Sequence, residues 1–199
     1  MIYRTVKPFV LASSSPRRRD YLLELGLDFI ICAEEIDESP LPHEDPAAYV
    51  ERMAREKAVA VSHRYPDSYV LAADTAVCLD SRILGKPRDA EDAVAMLLDL
   101  AGKEHVVRSG ICITGEHENI EIVLSVATRV CFADFGEDVA QGYVASGEPF
   151  DKAGAYGIQG QGAFLVERLE GSYTNVVGLP LAEVVGILLR YGVIVPAGR

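Results

Sequence analysis

The stretch FVLASSSPRRR, residues 9–19, places the strongest constraint on how this chain folds. The apolar run 9–12 is typical of a buried strand, and the three serines with Pro16 end it. Apolar residues at helical spacing follow the arginines, which predicts a helix that ends at Gly26. This stretch and the residues after it therefore predict a strand, a tight serine-rich turn and a helix.

Arg17, Arg18 and Arg19 lie in the first turn of this predicted helix, where cations oppose the helix dipole. A bound anion removes the conflict, because the free N–H groups of a first turn and neighbouring guanidinium groups both bind phosphate. A solvated basic turn explains the same residues equally well. This segment is a candidate anion site, with the solvated turn as an open alternative.

Strand-like and helical segments alternate in the first half of the chain, and two long strand-like stretches, 105–114 and 120–132, predict a hairpin in the middle. Asp45 with Pro46, and later Asp89, are typical of helix starts. The other predicted strands are 28–33, 69–79 and 164–169; the other predicted helices are 46–63, 90–100, 137–146 and 179–191; a turn is predicted at 80–82 and a loop at 171–178. This order predicts an α/β fold with a mixed sheet, in two lobes around a cleft.

The composition argues against several classes of protein. A net charge of −11 in 199 residues argues against binding a nucleic-acid polymer, so the arginine cluster favours a small anion. No apolar run approaches the roughly 20 residues that cross a bilayer, and no signal peptide begins the chain, so we expect a cytoplasmic protein without a membrane partner. The four cysteines are widely spaced and form no CxxC pair, which predicts reduced core thiols.

Asp74 is the first candidate for chemistry, because it interrupts the very apolar run 69–79. Aspartates are rarely buried unless they are paired, hydrogen-bonded or bound to metal. The structural alternative is an aspartate that caps the backbone at a strand end. Thr75 beside it has a hydroxyl that can bind a ligand, although an ordinary β-branched strand residue explains it better on sequence alone.

Glu38, in the acidic segment 34–38, is a candidate second carboxylate for a hard cation. Mg²⁺ usually takes one or two carboxylates together with substrate phosphate oxygens and water. Acidic loops are nevertheless more often plain solvated surface. Lys57 lies on a predicted helix, where surface i,i+4 pairs are common, and Lys86 stands in a turn between Gly85 and Pro87.

The segment DKAGAYGIQG, residues 151–160, is hard to explain as packing, because its glycines permit close backbone approach or positive φ. Lys152 can pair with Asp151, and Gln159 offers both a donor and an acceptor to an amide-bearing ring such as a pyrimidine. A glycine-rich surface loop is the alternative. The four histidines share no metal-ligand or nucleophile–base spacing, and no role is predicted for them.

Seven segments of the chain form a recognisable series: LASSSPRR (11–18), REKA (55–58), ADT (73–75), GKP (85–87), GEP (147–149), DKAGAYGIQG (151–160) and NVVGLP (175–180). Together they resemble the Maf family of nucleoside triphosphate pyrophosphatases, also described as septum-formation inhibitors. The YGIQG portion resembles the branch that acts on dTTP and UTP, whereas the 7-methyl-GTP branch has a glutamate-bearing sequence there. Ser109, where the family usually has threonine, and the extra cation Arg19 are the small departures.

The resemblance implies roles for the candidate residues. Asp74 would be the catalytic carboxylate, which the family treats as a general base, although a ligand role remains open. Glu38, with Asp74, would hold a divalent cation, Mg²⁺ or Mn²⁺. The residues that would set specificity are Arg17, Thr75 and Gln159; the residues that would contact the rest of the substrate are Arg18, Lys57, Lys86, Ser13 and Lys152.

The resemblance also implies an elongated α/β fold like that of the inosine-triphosphate pyrophosphatases, a single domain over residues 1–199, and a homodimer. The expected reaction is hydrolysis of dTTP or UTP between the α- and β-phosphates. Two alternatives remain open. One is a pyrophosphatase for 7-methyl-GTP or non-standard purine nucleotides, and the other is a nucleotide-regulated inhibitor of cell division that acts by binding.

Overall fold

A seven-stranded mixed sheet organises the fold in the computed structural model, which describes residues 1–198. Its strands are β2 (Phe9–Leu11), β3 (Ile30–Ile31), β4 (Tyr69–Leu79), β5 (Arg82–Leu84), β6 (Glu104–Gly115), β7 (Ile120–Phe132) and β8 (Val166–Glu170). Their order in the sheet is β3-β2-β4-β6-β7-β8, and β5 pairs with β4. Strand β2 is parallel to β3 and to β4, whereas β8 is antiparallel to β7. The predicted α/β class with a mixed sheet is confirmed, as is the hairpin of β6 and β7.

Six α-helices accompany the sheet within the described residues. They are α1 (Pro16–Glu24), α2 (Pro46–Ser62), α3 (Ala90–Leu100), α4 (Glu137–Val144), α5 (Tyr173–Val177) and α6 (Leu181–Arg190). Asp45 caps α2 by accepting from the N–H groups of Ala47 and Ala48, and Asp89 caps α3 by accepting from the N–H of Asp92. Both predicted helix starts are confirmed, because an aspartate at this position satisfies N–H groups that the helix leaves unpaired.

The structure differs from the sequence predictions mainly where short or non-local structure decides. The predicted loop 171–178 contains α5, whose start is held by the Ser172 hydroxyl, which accepts from the N–H of Asn175. The turn after β4 leads directly into β5, which pairs back onto β4. Strands β1 (Tyr3–Thr5) and β9 (Ile194–Pro196) form a separate two-stranded sheet from opposite ends of the chain.

The chain divides into two compact units. The first contains Met1–Asp74, Ser109–Ser125 and the segment from Gly178 onwards, and the second contains Thr75–Arg108 and Val126–Val177. The boundary therefore falls inside β4, between Asp74 and Thr75. The single domain and the cleft that the sequence suggested stay predictions.

Each unit has its own apolar core. The core of the first unit includes Leu11, Leu22, Leu71, Ile111 and Leu188, and a smaller cluster there packs α2 through Ala54, Ala58 and Val61. The core of the second unit includes Val77, Leu97, Phe132, Tyr143 and Leu165. All four cysteines are free thiols; Cys78 and Cys112 are buried as predicted, whereas Cys32 and Cys131 are partly exposed. Among residues 1–198, no helix is long and apolar enough to span a bilayer.

Candidate active site

Asp74 lies in the middle of β4 and is 8% exposed. Its Oδ1 accepts a hydrogen bond from the Lys57 ammonium, with 2.6 Å between the two atoms. The strand-end cap that the sequence left as an alternative does not describe this residue, because β4 continues for five residues beyond it. Asp74 is instead a buried carboxylate paired with a cation.

Lys57 joins two of the predicted carboxylates. Its Nζ lies 2.6 Å from Asp74 Oδ1 and 2.6 Å from Glu38 Oε1. The Lys57 side chain is 16% exposed and that of Asp74 is 11% exposed, whereas the Glu38 side chain is about half exposed. The surface i,i+4 pair that we considered for Lys57 is therefore not what the structure shows, since both its partners come from other segments.

The position of α2 makes this bridge possible. The helix buries an apolar face, and Gly110 in β6 lets its backbone come close, since a Cβ at Gly110 would stand 2.1 Å from the carbonyl oxygen of Val50. Tyr49 on the same helix donates its hydroxyl to the backbone oxygen of Glu38, over 2.9 Å. Burial raises the pKa of Tyr49, and the charges of Asp74 and Glu38 raise it further, so its hydroxyl stays a donor.

The two carboxylates that converge on Lys57 suit a hard divalent cation. Within the described residues 1–198, no group of three or more histidine, cysteine, aspartate or glutamate side chains is placed to hold a metal ion. A protein cage of three or more such ligands is therefore not present in that part of the chain. Two carboxylates leave the remaining positions around a hard cation to phosphate and water.

Arg18 holds the backbone around Asp74. Its Nε donates to the carbonyl oxygen of Gly178 (2.8 Å), and its Nη1 donates to the carbonyl oxygen of Ala73 (2.7 Å) and to the Ser13 hydroxyl (3.2 Å). The Ser13 hydroxyl also accepts from the N–H of Ser15. Burial lowers the pKa of Arg18, and the nearby Asp74 partly opposes that shift. The contacts of Arg18 and Ser13 with substrate stay predictions. In the structure, the two residues link the turn at Ser13–Ser15 to the strand that carries Asp74.

The other two arginines differ from each other. Both lie in the first turn of α1, which has no acidic residue and no side-chain cap from Ser15. Arg19 is exposed and pairs with the neighbouring Asp20, at 2.7 Å between Nη2 and Oδ1. Arg17 is less exposed. The predicted placement of a basic first turn is confirmed, and Arg17 remains the candidate for anion binding.

Thr75, Lys86, Lys152 and Gln159 belong to the second unit. Lys86 is exposed, and its ammonium forms no ion pair with any residue that the structure describes. The turn that carries it is tied to the segment 151–160, because the N–H of Gly154 donates to the carbonyl oxygen of Gly85 over 3.0 Å. Two phosphate- or base-binding candidates, Lys86 and Gln159, therefore stand on connected backbone.

Lys152 is held by the protein itself. Its Nζ donates to the backbone oxygen of Glu148 (2.5 Å) and to Asp151 Oδ1 (2.6 Å), so the predicted pair with Asp151 is present. Gln159, in contrast, is exposed, and its carboxamide makes no hydrogen bond within residues 1–198. Of these two predicted contacts with substrate, only Gln159 has its polar group available without a change of partner.

Comparison with known proteins decides the family. A family model described as Maf-like protein matches residues 8–191. The chain belongs to the Maf family. The protein named dTTP/UTP pyrophosphatase from Desulfotalea psychrophila is 58% identical over 193 residues, which cover 97% of this chain and 99% of that protein. The protein of the same name from Myxococcus xanthus is 52% identical and covers 94% of each chain. The resemblance found in the sequence is thus confirmed.

A solved structure supports the fold of this Maf protein. The Ham1 protein of Staphylococcus aureus superposes with a TM-score of 0.52 over 94% of this chain and 100% of that chain, at 16% identity. Identity this low shows the fold alone.

Three residues of this Maf protein received no role from the sequence, although they surround the segment that carries Gln159. They are His105, Tyr143 and Glu148, and all are at least partly buried. The side chains of His105 and Tyr143 form hydrogen bonds with Tyr156 and Gly157 of that segment. Glu148 accepts from Lys152 through its backbone oxygen and from the N–H of Gln161, just beyond the segment, through its carboxylate. Glu148 lies within the segment GEP that resembles the family, and no other feature of the sequence pointed to a role for it. Tyr143 and His105 looked like ordinary members of a helix and a strand, so local patterns gave no reason to select them.

Proposed function

We propose that this Maf protein hydrolyses dTTP and UTP between the α- and β-phosphates, releasing the nucleoside monophosphate and pyrophosphate. Relatives of 46–58% identity carry the name dTTP/UTP pyrophosphatase. The observation in the structure that carries the proposal is the buried Asp74, which shares one ammonium with Glu38. An acidic pair suits hydrolysis of a triphosphate, because a carboxylate can accept a proton from water and a pair of carboxylates can hold a cation beside the phosphates.

Asp74 is the proposed general base. Its carboxylate accepts the proton of a water whose oxygen attacks the α-phosphorus, and the bond from that phosphorus to the bridging oxygen breaks as pyrophosphate leaves. Glu38 and Asp74 would hold a divalent cation, Mg²⁺ or Mn²⁺, which when bound offsets negative charge on the phosphate oxygens. With that cation bound, the Lys57 ammonium would donate to a phosphate oxygen of the substrate instead of to the two carboxylates.

Arg17 and Lys86 are the proposed donors to the triphosphate. Arg17 lies in the first turn of α1, and Lys86 is exposed and has no ion pair among residues 1–198 to give up. We assign Thr75 and Gln159 to recognition of the nucleoside. The homodimer and the cytoplasmic location stay predictions.

Gln159 matches the edge that uracil and thymine share, which is a carbonyl acceptor beside a ring imide donor. Cytosine inverts this edge, since it presents an amino donor and a ring-nitrogen acceptor. A carboxamide can turn over to suit either, so discrimination requires a fixed orientation of the loop. A site built for defined hydrogen bonds then rejects the mismatched base, because its own polar groups are left unpaired at about 1–3 kcal/mol each.

The test is turnover of a nucleotide panel. Purified protein with Mg²⁺ is given dTTP, UTP, CTP, 7-methyl-GTP and ITP, and kcat/KM is measured from pyrophosphate and monophosphate release. We expect dTTP and UTP to be good substrates and CTP to be poor. Stoichiometric binding without turnover would support the binding-protein alternative, and preference for a purine nucleotide would support the other.

Gln159→Glu tests the base-reading residue separately from the chemistry. The change adds a charge and removes a donor, so we expect kcat/KM for dTTP to fall by about 10- to 100-fold. The preference for dTTP over CTP should shrink at the same time. If the wild-type protein hydrolyses CTP as well as dTTP, the readout by Gln159 is wrong even though the pyrophosphatase activity stands.

A further inference from the structure

We infer that Tyr143 and Glu148 are positioning residues that hold the Gln159 loop, residues 157–162, in the conformation that selects the base. The inference rests on the proposed function, because the contact between Gln159 and the base is itself a proposal. Neither residue is expected to touch the substrate.

Glu148 fixes the C-terminal side of the loop through both oxygens of its carboxylate. Its Oε2 accepts from the backbone N–H of Gln161 over 2.9 Å, and its Oε1 accepts from the N–H of Gly162 over 3.2 Å. The Tyr143 hydroxyl donates to the same Oε1 over 2.9 Å. One carboxylate therefore sets the direction of two consecutive N–H groups of the loop.

Tyr143 connects this side of the loop with the other. Its hydroxyl, besides donating to Glu148, accepts from the backbone N–H of Gly157 over 3.2 Å. Tyr143 is 4% exposed, so the connection lies beneath the loop rather than on the surface. A single hydroxyl thus ties Gly157 to the carboxylate that holds Gly162, and Gln159 lies between these two fixed points.

The loop is fitted closely around these two side chains. A Cβ at Gly162 would stand 2.5 Å from the Tyr143 hydroxyl oxygen, and a Cβ at Gly160 would stand 2.8 Å from Glu148 Oε2. Both distances are too short for a carbon–oxygen contact, so the glycines leave the space that the two side chains occupy. The glycine-rich sequence of this segment follows from what lies beneath it.

The charge state of the two groups suits this purpose. Burial raises the pKa of Glu148, but the hydrogen bonds from Gln161, Tyr143 and Gly162 outweigh it, and the net shift is downward. The carboxylate is therefore ionised and accepts from all three donors. Burial raises the pKa of Tyr143, so its hydroxyl keeps the proton that it donates.

The consequence for selectivity follows from the exposure of Gln159. Its carboxamide has no hydrogen bond within residues 1–198, so the choice between its two orientations depends on how the loop presents it to the base. A looser backbone would let the carboxamide satisfy either uracil or cytosine. Loss of the support beneath the loop should therefore affect the choice between bases more than the hydrolysis itself.

Tyr143→Phe is the central test, because it removes the hydroxyl and keeps the ring that packs in the core. We expect the ratio of kcat/KM for dTTP to that for CTP to fall about tenfold. This is the change expected when the penalty for one mismatched hydrogen bond with cytosine no longer applies. KM for dTTP should rise more than kcat falls. Backbone amide exchange in the substrate-free protein should become at least tenfold faster at Gly157, Gln161 and Gly162.

Glu148→Gln is the second variant, and its effect should be larger. The shape is kept, but one oxygen becomes an NH₂ group that faces backbone N–H donors. Val130→Ala is the matched control, because it removes buried side-chain volume from the core of the same unit and leaves the polar groups of Tyr143 and Glu148 in place. The control should lower the melting temperature and leave both the base ratio and the exchange of the loop unchanged.

The results separate this inference from the proposed function. Unchanged amide exchange in Tyr143→Phe would overturn the positioning role whatever the activity shows. Faster exchange with an unchanged base ratio would overturn the link to selectivity. A wild-type protein that does not prefer dTTP to CTP would contradict the proposed readout by Gln159, and the selectivity inference would fall with it. If Val130→Ala changed the base ratio and the amide exchange of the loop as much as Tyr143→Phe does, the effect would be one of general stability, and the positioning role would be wrong.

Discussion

The functional candidates of the first unit are bonded to other residues of the protein, whereas the side chains of two candidates in the second unit have no such bond within residues 1–198. Asp74, Lys57 and Glu38 share one ion-paired cluster, and Arg18 is bonded to backbone carbonyls beside it. In the second unit, Lys86 and Gln159 are exposed, and the order around them comes from backbone contacts. The first arrangement fixes charges before substrate arrives but requires them to change partners. The second leaves polar groups available and depends on the loop for precision.

Asp74→Asn should show the largest effect on the ion-paired cluster. The amide keeps the shape and removes the charge, so we expect kcat for dTTP to fall by about 10²–10⁴-fold, the usual contribution of a general base. The fold should stay intact, because Lys57 retains Glu38 as a partner. Circular dichroism and the melting temperature check the fold, and pyrophosphate release checks the rate. Near-normal turnover would show that Asp74 is a structural residue, and the ion-paired cluster would then not be the catalytic part of the protein.

His105 in the core of the second unit should make stability depend on pH. It is 2% exposed, its Nε2 is 2.7 Å from the Tyr156 hydroxyl, and its buried Nδ1 has no hydrogen-bond partner within residues 1–198. Burial lowers the pKa of His105 to about 4. The unfolded chain binds this proton near pH 6.5, so the folded state loses stability as the pH falls from about 6.5 to about 4, by up to about 3 kcal/mol.

Urea unfolding of the wild-type protein and of His105→Gln at pH 7 and pH 4.5 measures this contribution. Other groups titrate over the same range, so the quantity of interest is the difference between the two proteins. The wild type should lose about 2–3 kcal/mol more free energy of unfolding than the variant does. Parallel losses would mean that His105 is protonated in the folded protein, and the core beneath the Gln159 loop would then be less dry than the structure indicates.

Arg17→Ala and Lys86→Ala, with Arg19→Ala as control, test whether the cations make defined contacts. Loss of a charge-assisted bond to phosphate should weaken nucleotide binding by about 1.5–3 kcal/mol for each of the first two variants. Arg19 already pairs with Asp20, so its removal should change binding by less than about 0.5 kcal/mol. The measurement is KM for dTTP together with calorimetric binding of a non-hydrolysable analogue. Similar losses in all three variants would indicate a diffuse electrostatic effect.

The sequence predicted the long, strongly patterned elements best. Strands β4 and β7 and the helices α2 and α3 lie within a residue of their predicted bounds, because alternating apolar runs and aspartate caps act locally. The pairing of β1 with β9 was not predicted, since it joins three-residue segments from the two ends of the chain. Helix α5 was missed because its five residues are too few for a periodic pattern.

The candidate site was predicted only in part, because local patterns are visible in the sequence and contacts between distant segments are not. An aspartate inside an apolar strand is visible in the sequence, and Asp74 is buried and paired as that pattern suggested. The partner could not be predicted, because Lys57 reaches Asp74 only through the close approach of α2 to the sheet. Tyr143 was missed for a related reason. Its hydroxyl bonds to the loop of residues 157–162 only because the fold brings that loop over it.

The bonds of Arg18 have a consequence for which positions of the chain can vary. Arg18 donates to two main-chain carbonyl oxygens, those of Ala73 and Gly178, which lie 55 and 160 residues away along the chain. Every amino acid supplies a carbonyl oxygen, so the guanidinium recognises the path of the backbone and not the side chains at those positions. These two contacts of Arg18 thus place no demand on the side chains at positions 73 and 178. Gly178 is favoured there for a separate reason, since its φ of 125° lies in a region that residues with a side chain rarely adopt.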